Sequence, residues 1–192
     1  MQPVMRGASR VPLWANEPEA PGPKAPGRFP MDTMTPKPTL TKVPIYTVRL
    51  VKGRTLRLAE PTVSNAELAG RTMHSMLGMT DREHFAAIFL DGRHHITGAH
   101  VVAVGGQHDI GTIEARTVFR AAIAACASGI ILGHNHPSGD PTPSEQDITT
   151  TAKLMAAGSI LGIAVVDHII VTRDSRRMHS MLSRGTLPEP QA

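Results

Sequence analysis

The chain carries a single cysteine, Cys126, among its 192 residues. No internal disulfide can form, so the fold does not depend on an oxidising compartment. Aromatic residues make up only 3% of the chain, so a core must be built from Val, Ile, Leu, Ala and the 10 methionines. No apolar run approaches the length of a membrane span. Residues 1–6 lack the apolar stretch of a signal peptide. These absences read as a cytoplasmic protein. A GxxxxGK phosphate loop is missing, as is the Gly-x-Ser-x-Gly turn of a serine hydrolase. With one cysteine, the Pro-Cys-x-x-Cys ligand pair of zinc deaminases is missing too.

Proline and charge are unevenly spread. Nine of the 16 prolines lie in the first 42 residues, which show no hydrophobic period and read as a disordered or extended tail. The net charge is +4, and the tail holds six Lys/Arg against three Asp/Glu. A weakly basic tail can touch nucleic acid. This one has no dense basic block and no interleaved aromatics, so it reads as a solvated linker rather than a specific reader. One domain is expected over residues 43–185, with residues 186–192 a disordered C-terminus.

Within that domain the order of elements is legible. Residues 44–51 read as a strand. Ser64-Asn65-Ala66-Glu67 reads as a capping box, followed by a helical stripe of Ala69, Met73, Met76 and Leu77. Residues 85–90 and 96–104 read as antiparallel strands joined around Asp91-Gly92. A helix over 115–127, a strand over 129–135, a helix over 143–157 and a strand over 162–172 follow, with a short edge strand within 176–182. The order predicts an α/β sandwich, a mixed sheet flanked by helices. Cys126 falls at i, i+3, i+4, i+7 with Phe119, Ala122 and Ile123, which predicts a buried small hydrophobe.

The densest chemistry lies in residues 134–147. Ile130-Ile131-Leu132-Gly133 reads as a buried strand that ends in His134-Asn135-His136. Side chains two apart share a strand face, so His134 and His136 point to one side and Asn135 away. Pro137, Gly139, Pro141 and Pro143 force a loop. Thr142-Pro143-Ser144-Glu145 then reads as a helix start with Thr142 as N-cap and Glu145 closing a capping box. The helix start can return Asp147 to the two imidazoles. Two imidazoles and a carboxylate, with a fourth position open for water, are the donors of a catalytic zinc site. The bland alternative is a turn followed by first-turn residues that stabilise a helix N-terminus.

His134-x-His136, Ser144 and Asp147 match the metal-binding signature of JAB/MPN-domain metalloproteases, the JAMM motif. The run from Ile131 to Ser144 resembles the RadC-like branch. So do Leu161-Gly162-Ile163 leading to Asp167-His168-Ile169-Ile170-Val171, and Asp81-Arg82-Glu83-His84-Phe85 before Phe89-Leu90-Asp91. The resemblance covers roughly residues 44–185. It implies a deaminase-like three-layer JAB/MPN sandwich and hydrolysis of peptide or isopeptide bonds. It further implies that His134, His136 and Asp147 hold Zn2+, that Glu83 is the general base and that Ser144 stabilises the oxyanion. Glu114 and Glu145 are the rival glutamates, each explained by a helix start.

Other residues stay open at this stage. Asp140 either orders the motif loop as an Asx-type turn or supports a histidine ligand. Asp167-His168 interrupts an apolar run and serves either the site or the strand. His94, His95, His100 and His108 read as solvated. The chain departs from the RadC-like pattern in two places. A Pro-rich tail stands where an N-terminal helical DNA-binding module is usual, and residues 111–120 lack the usual His-Pro-Arg-Glu run. Three functions follow as expectations: a zinc metallopeptidase acting on a peptide or protein substrate, a DNA-associated protein, or a non-catalytic JAB scaffold. No membrane partner is expected, and the oligomeric state is open.

Overall fold

The computed structural model describes residues 43–189 except 46, 59 and 106–112. The Pro-rich tail, His108 and the last three residues therefore lie outside the described residues. The described fold belongs to the unit Ile45–Ala192.

Five strands form one mixed sheet: β1 His84–Leu90, β2 Ile96–Val104, β3 Gly129–Asn135, β4 Ala164–Val171 and β5 Met178–Ser180. Their spatial order is β2-β1-β3-β4-β5, and only the β3–β4 pair is parallel. Three helices cover it: α1 Ala66–Leu77, α2 Ala115–Ala124 and α3 Glu145–Leu161.

Alternation along the strands sorts side chains between the two faces. Ala86, Ile88 and Leu90 of β1 join Ile131, Ile169 and Val171 against Ala69, Met73 and Leu77 of α1. Phe85, Ala87 and Phe89 join Ile130, Leu132 and Val165 against Val118 and Phe119 of α2 and Leu154 of α3. The result is helix, sheet, helix: the three-layer α/β architecture that the sequence predicts. β3 is buried at every residue. A central strand covered on both faces reads as a continuous apolar run for that reason. Burying a side chain such as Phe119 or Leu132 contributes roughly 1.5–3 kcal/mol.

Four local expectations are corrected. Residues 44–51 form no strand where described, and those residues are exposed. The stretch has apolar residues, but among the described residues no strand pairs with it. The α1 cap is Asn65 rather than Ser64; its side chain accepts from Leu68 N at 2.8 Å. The α3 cap is Ser144 rather than Thr142, and the reciprocal partner is Asp147 rather than Glu145. Thr142 belongs to the loop before the helix, where its N–H and hydroxyl both donate to Asp140 Oδ1. Cys126 is exposed, not buried. α2 ends at Ala124, and Cys126 lies beyond it in the left-handed region at φ 52°, so the helical period no longer governs where it points.

In the β1–β2 hairpin Asp91 Oδ1 accepts from Arg93 N and His95 N, and Oδ2 lies 3.0 Å from His95 Nδ1. The bonds from His95 and Arg93 hold the Asp91 carboxyl down at about 2. His95 is thus partnered, while His94 is exposed as predicted. Among the described residues no helix is long and apolar enough to cross a membrane.

Candidate metal centre

His134 is the penultimate residue of β3, opposite Phe85 in the antiparallel pair with β1 and beside Ile170 in the parallel pair with β4. Its imidazole is 1% exposed and stacks on Phe85 with ring centroids 6.1 Å apart. His136 follows the strand, tied by its N–H to Val171 O at 2.9 Å. Both imidazoles emerge on one side, as period-2 alternation requires, and their Nε2 atoms meet at 2.9 Å.

Asp147 arrives from the first turn of α3. Its Oδ1 is 3.2 Å from His134 Nε2 and its Oδ2 is 3.8 Å from His136 Nε2. The capping box aims it: Ser144 N–H and Ser144 Oγ–H both donate to Oδ2 at 2.7 Å, and Asp147 N–H donates back to Ser144 Oγ. Burial works to raise the Asp147 carboxyl. The hydrogen bond and charge of His134, then the two bonds from Ser144, outweigh it and hold the group well below the usual carboxylate range.

Glu83 enters from the residue before β1, with Oε1 3.9 Å from His134 Nε2. Glu83, His134 and His136 form a group whose ligand atoms all lie within 4.8 Å of one another and could hold a metal ion. Glu83 and Asp147 thus both approach the imidazoles, Glu83 within the metal-capable group and Asp147 through its two oxygens, while Ser144 bonds to Asp147. The rival Glu114 is the N-cap of α2 and pairs with Arg116 at 2.8 Å.

The donor set fits a zinc-type ion. Two imidazoles and a carboxylate are its usual ligands, spaced roughly 3.3 Å apart around a tetrahedral centre. The His136 tautomer also fits. Its Nδ1 lies 2.7 Å from Asp140 O. A carbonyl only accepts, so Nδ1 carries the proton and Nε2 keeps its lone pair toward the cluster. Asp140 thus supports a candidate ligand through its backbone oxygen, while its carboxylate makes the Asx-type turn with Thr142.

Two residues that hold the site escaped the sequence reading. Asn135 turns away from the cluster but is not idle. Its Oδ1 accepts from His84 N at 2.8 Å and its Nδ2 donates to Arg82 O at 2.9 Å. Those bonds clamp the backbone on either side of Glu83. Thr151, one turn after Asp147, is wholly buried against His168. His168 itself, left open by the sequence, proves to face the site, with Nε2 2.8 Å from His134 Nδ1. Burial, then the charge of His134, pushes its pKa well down, so it is neutral. Asp167 points the other way and ties β4 to Ser180 and Leu182.

Comparison with known proteins agrees with this architecture. The chain is 44% identical over 91 residues to a UPF0758 protein of Syntrophomonas wolfei, which covers 47% of this chain and 38% of that protein. A UPF0758 protein of Thermotoga maritima is 50% identical over 93 residues, 48% of this chain and 41% of the relative. One of Desulfitobacterium hafniense is 37% identical over 130 residues, 68% of this chain and 56% of the relative. The matches thus span between about two fifths and just over half of these relatives' length. The family model described as the RadC-like JAB domain matches residues 63–186, which takes in the sheet, all three helices and the whole cluster. The chain belongs to the RadC-like JAB domain family.

Proposed function

We propose that this domain is a zinc-dependent metallohydrolase of the JAMM type that cleaves peptide or isopeptide bonds. The supporting observation is the convergence of His134 Nε2, His136 Nε2 and the Asp147 carboxylate, with Glu83 beside them. His134, His136 and Asp147 hold the ion. The chemistry zinc supplies there is Lewis-acid activation of a water and of the scissile carbonyl.

The chain's own residues do the rest. Glu83 accepts the proton of the attacking water and returns it to the leaving amine. Asn135 keeps that glutamate in place by gripping Arg82 and His84. Ser144 donates to the developing oxyanion once its hydroxyl leaves Asp147 Oδ2. Side chains at 15% exposure for Glu83 and Asp147 leave the cluster reachable yet mostly shielded from water. The substrate is a peptide or a protein.

Elemental analysis of purified protein tests the reading. Wild type should carry about one zinc per chain, and a His134→Ala/His136→Ala double variant none. Glu83→Ala should keep the metal and lose about 10²–10⁴-fold in cleavage of any peptide or isopeptide substrate found by screening. His136→Ala should lose both metal and activity. A wild-type protein that takes up no zinc when zinc is supplied would sink the metallohydrolase reading. Full activity in Glu83→Ala would sink the base assignment alone.

A further inference from the structure

Thr151 and His168 are both completely buried beside the cluster. Thr151 Oγ1 lies 2.6 Å from Asp147 O and 2.6 Å from His168 Nδ1. The other ring nitrogen of His168 lies 2.8 Å from His134 Nδ1. The chain of contacts therefore runs from the backbone of Asp147 to the ring of His134.

The Asp147 carbonyl fixes the order of the protons from Thr151 to His134 Nδ1. The Asp147 carbonyl accepts and cannot donate, so the Thr151 hydroxyl hydrogen sits on that bond. The other polar neighbour of Thr151, Met181 Sδ at 3.8 Å, is too distant to compete for it. With its single hydrogen committed, Thr151 Oγ1 accepts from His168, so His168 Nδ1 is the protonated nitrogen. His168 Nε2 then carries a lone pair and accepts from His134 Nδ1–H. His134 Nε2 is then the nitrogen that faces His136 Nε2 and Asp147 Oδ1, where it bonds to the carboxylate in the metal-free chain and would offer its lone pair to an ion.

We infer that Thr151 and His168 are positioning residues: a buried hydrogen-bond relay that locks His134 in the tautomer whose Nε2 lone pair faces the metal point. The inference rests on the proposed metal reading for its purpose. Asp147 serves both ends of one imidazole. Its carboxylate meets Nε2, and its backbone carbonyl, through Thr151 and His168, directs Nδ1. The first turns of α3 thus set both the third donor and the readiness of the first.

Removing the hydroxyl shows why the relay matters. In Thr151→Val the His168 Nδ1–H would face a methyl group and stay unsatisfied in the interior, which is costly. The neutral ring relieves this by moving its proton to Nε2. That proton then meets His134 Nδ1 and displaces the His134 proton to Nε2, where it blocks the lone pair.

The test uses the full-length chain, with and without added zinc, at a pH above the imidazole range. Two-bond ¹H–¹⁵N correlation spectra report which nitrogen of each histidine is protonated, and chelator competition reports zinc affinity. Wild type should show His168 protonated at Nδ1 and bare at Nε2 in both the metal-free and zinc-loaded forms, and His134 protonated at Nδ1 alone in the zinc-loaded form. Thr151→Val should move His168 toward the Nε2–H tautomer and weaken zinc binding roughly 10–100-fold. Thr151→Ser, which keeps the hydroxyl, should restore both. A merely structural threonine would alter melting temperature without moving the tautomer. His168 protonated at Nε2 in wild type overturns the relay, and so does wild-type zinc affinity in folded Thr151→Val. If Thr151→Val does not fold, the wild-type tautomers decide alone. If wild type binds no zinc, the metallohydrolase reading falls while the metal-free spectra still decide the relay.

Discussion

Asp167 is a carboxylate almost cut off from water, at 4% exposure. Burial raises its pKa, and the bonds from Ser180 Oγ, Leu182 N and His168 N only partly offset this. The sign of the resulting pH dependence follows from linkage. The folded state holds the Asp167 proton to a higher pH than the unfolded chain does. Its contribution is therefore most favourable below the unfolded value of about 3.9 and declines as pH rises through the raised folded pKa. Asp167→Asn removes this titration while its amide oxygen can still accept from the two backbone N–H groups. Thermal melts across that range should show the variant gaining on wild type as pH rises, then running parallel. A difference that is flat, or that shrinks with rising pH, would contradict the account.

At the scale of elements, α3 bears the greatest burden. It begins with the Ser144–Asp147 capping box, which sets a donor as well as a helix end, and it stops at Gly162 in the left-handed conformation at φ 68°. Glycine is favoured there because other residues pay for that backbone with a Cβ clash. Gly158 is required for a different reason. A Cβ on it would lie 2.5 Å from Ile163 O and 3.1 Å from Phe119 Cζ. The first neighbour is backbone and the second a fully buried ring, so neither yields cheaply. Gly158→Ala should push α3 away from α2 and the β4 entrance and cost about 1–3 kcal/mol. Denaturant unfolding measures this. A loss of only a few tenths would mean that the helix shifts freely against the sheet.

For the molecule as a whole, the cluster joins four separate stretches: the entrance to β1, the end of β3, the loop after it and the start of α3. These meet only when the sheet is registered, so an ion held there binds the folded chain far better than the unfolded one. Zinc at about a hundred times its Kd should add about 2.7 kcal/mol. For a domain of this size that raises Tm by roughly 5–10 °C. Scanning calorimetry with and without zinc should show the rise in wild type and none in the His134→Ala/His136→Ala variant. An equal rise in both would place the effect elsewhere on the surface.

What the sequence by itself determined was whatever depends on near neighbours. Period-2 alternation placed His134 and His136 on one side, the apolar run before them announced a central strand, and the prolines dictated a loop that brings Asp147 back. The RadC-like resemblance supplied Glu83, since no local pattern singles out a glutamate beside Asp81 and Arg82. Tertiary structure decided the rest, because register and burial are set between distant residues. Asn135 grips the Glu83 segment across 51 residues of chain, and His168 meets His134 across 34. Thr151 looked like any helical threonine until its burial left the Asp147 carbonyl and His168 as its partners. Competition between neighbouring cap residues, and the end of α2 at Ala124 before Cys126, were likewise settled by what each backbone group could reach in the folded chain.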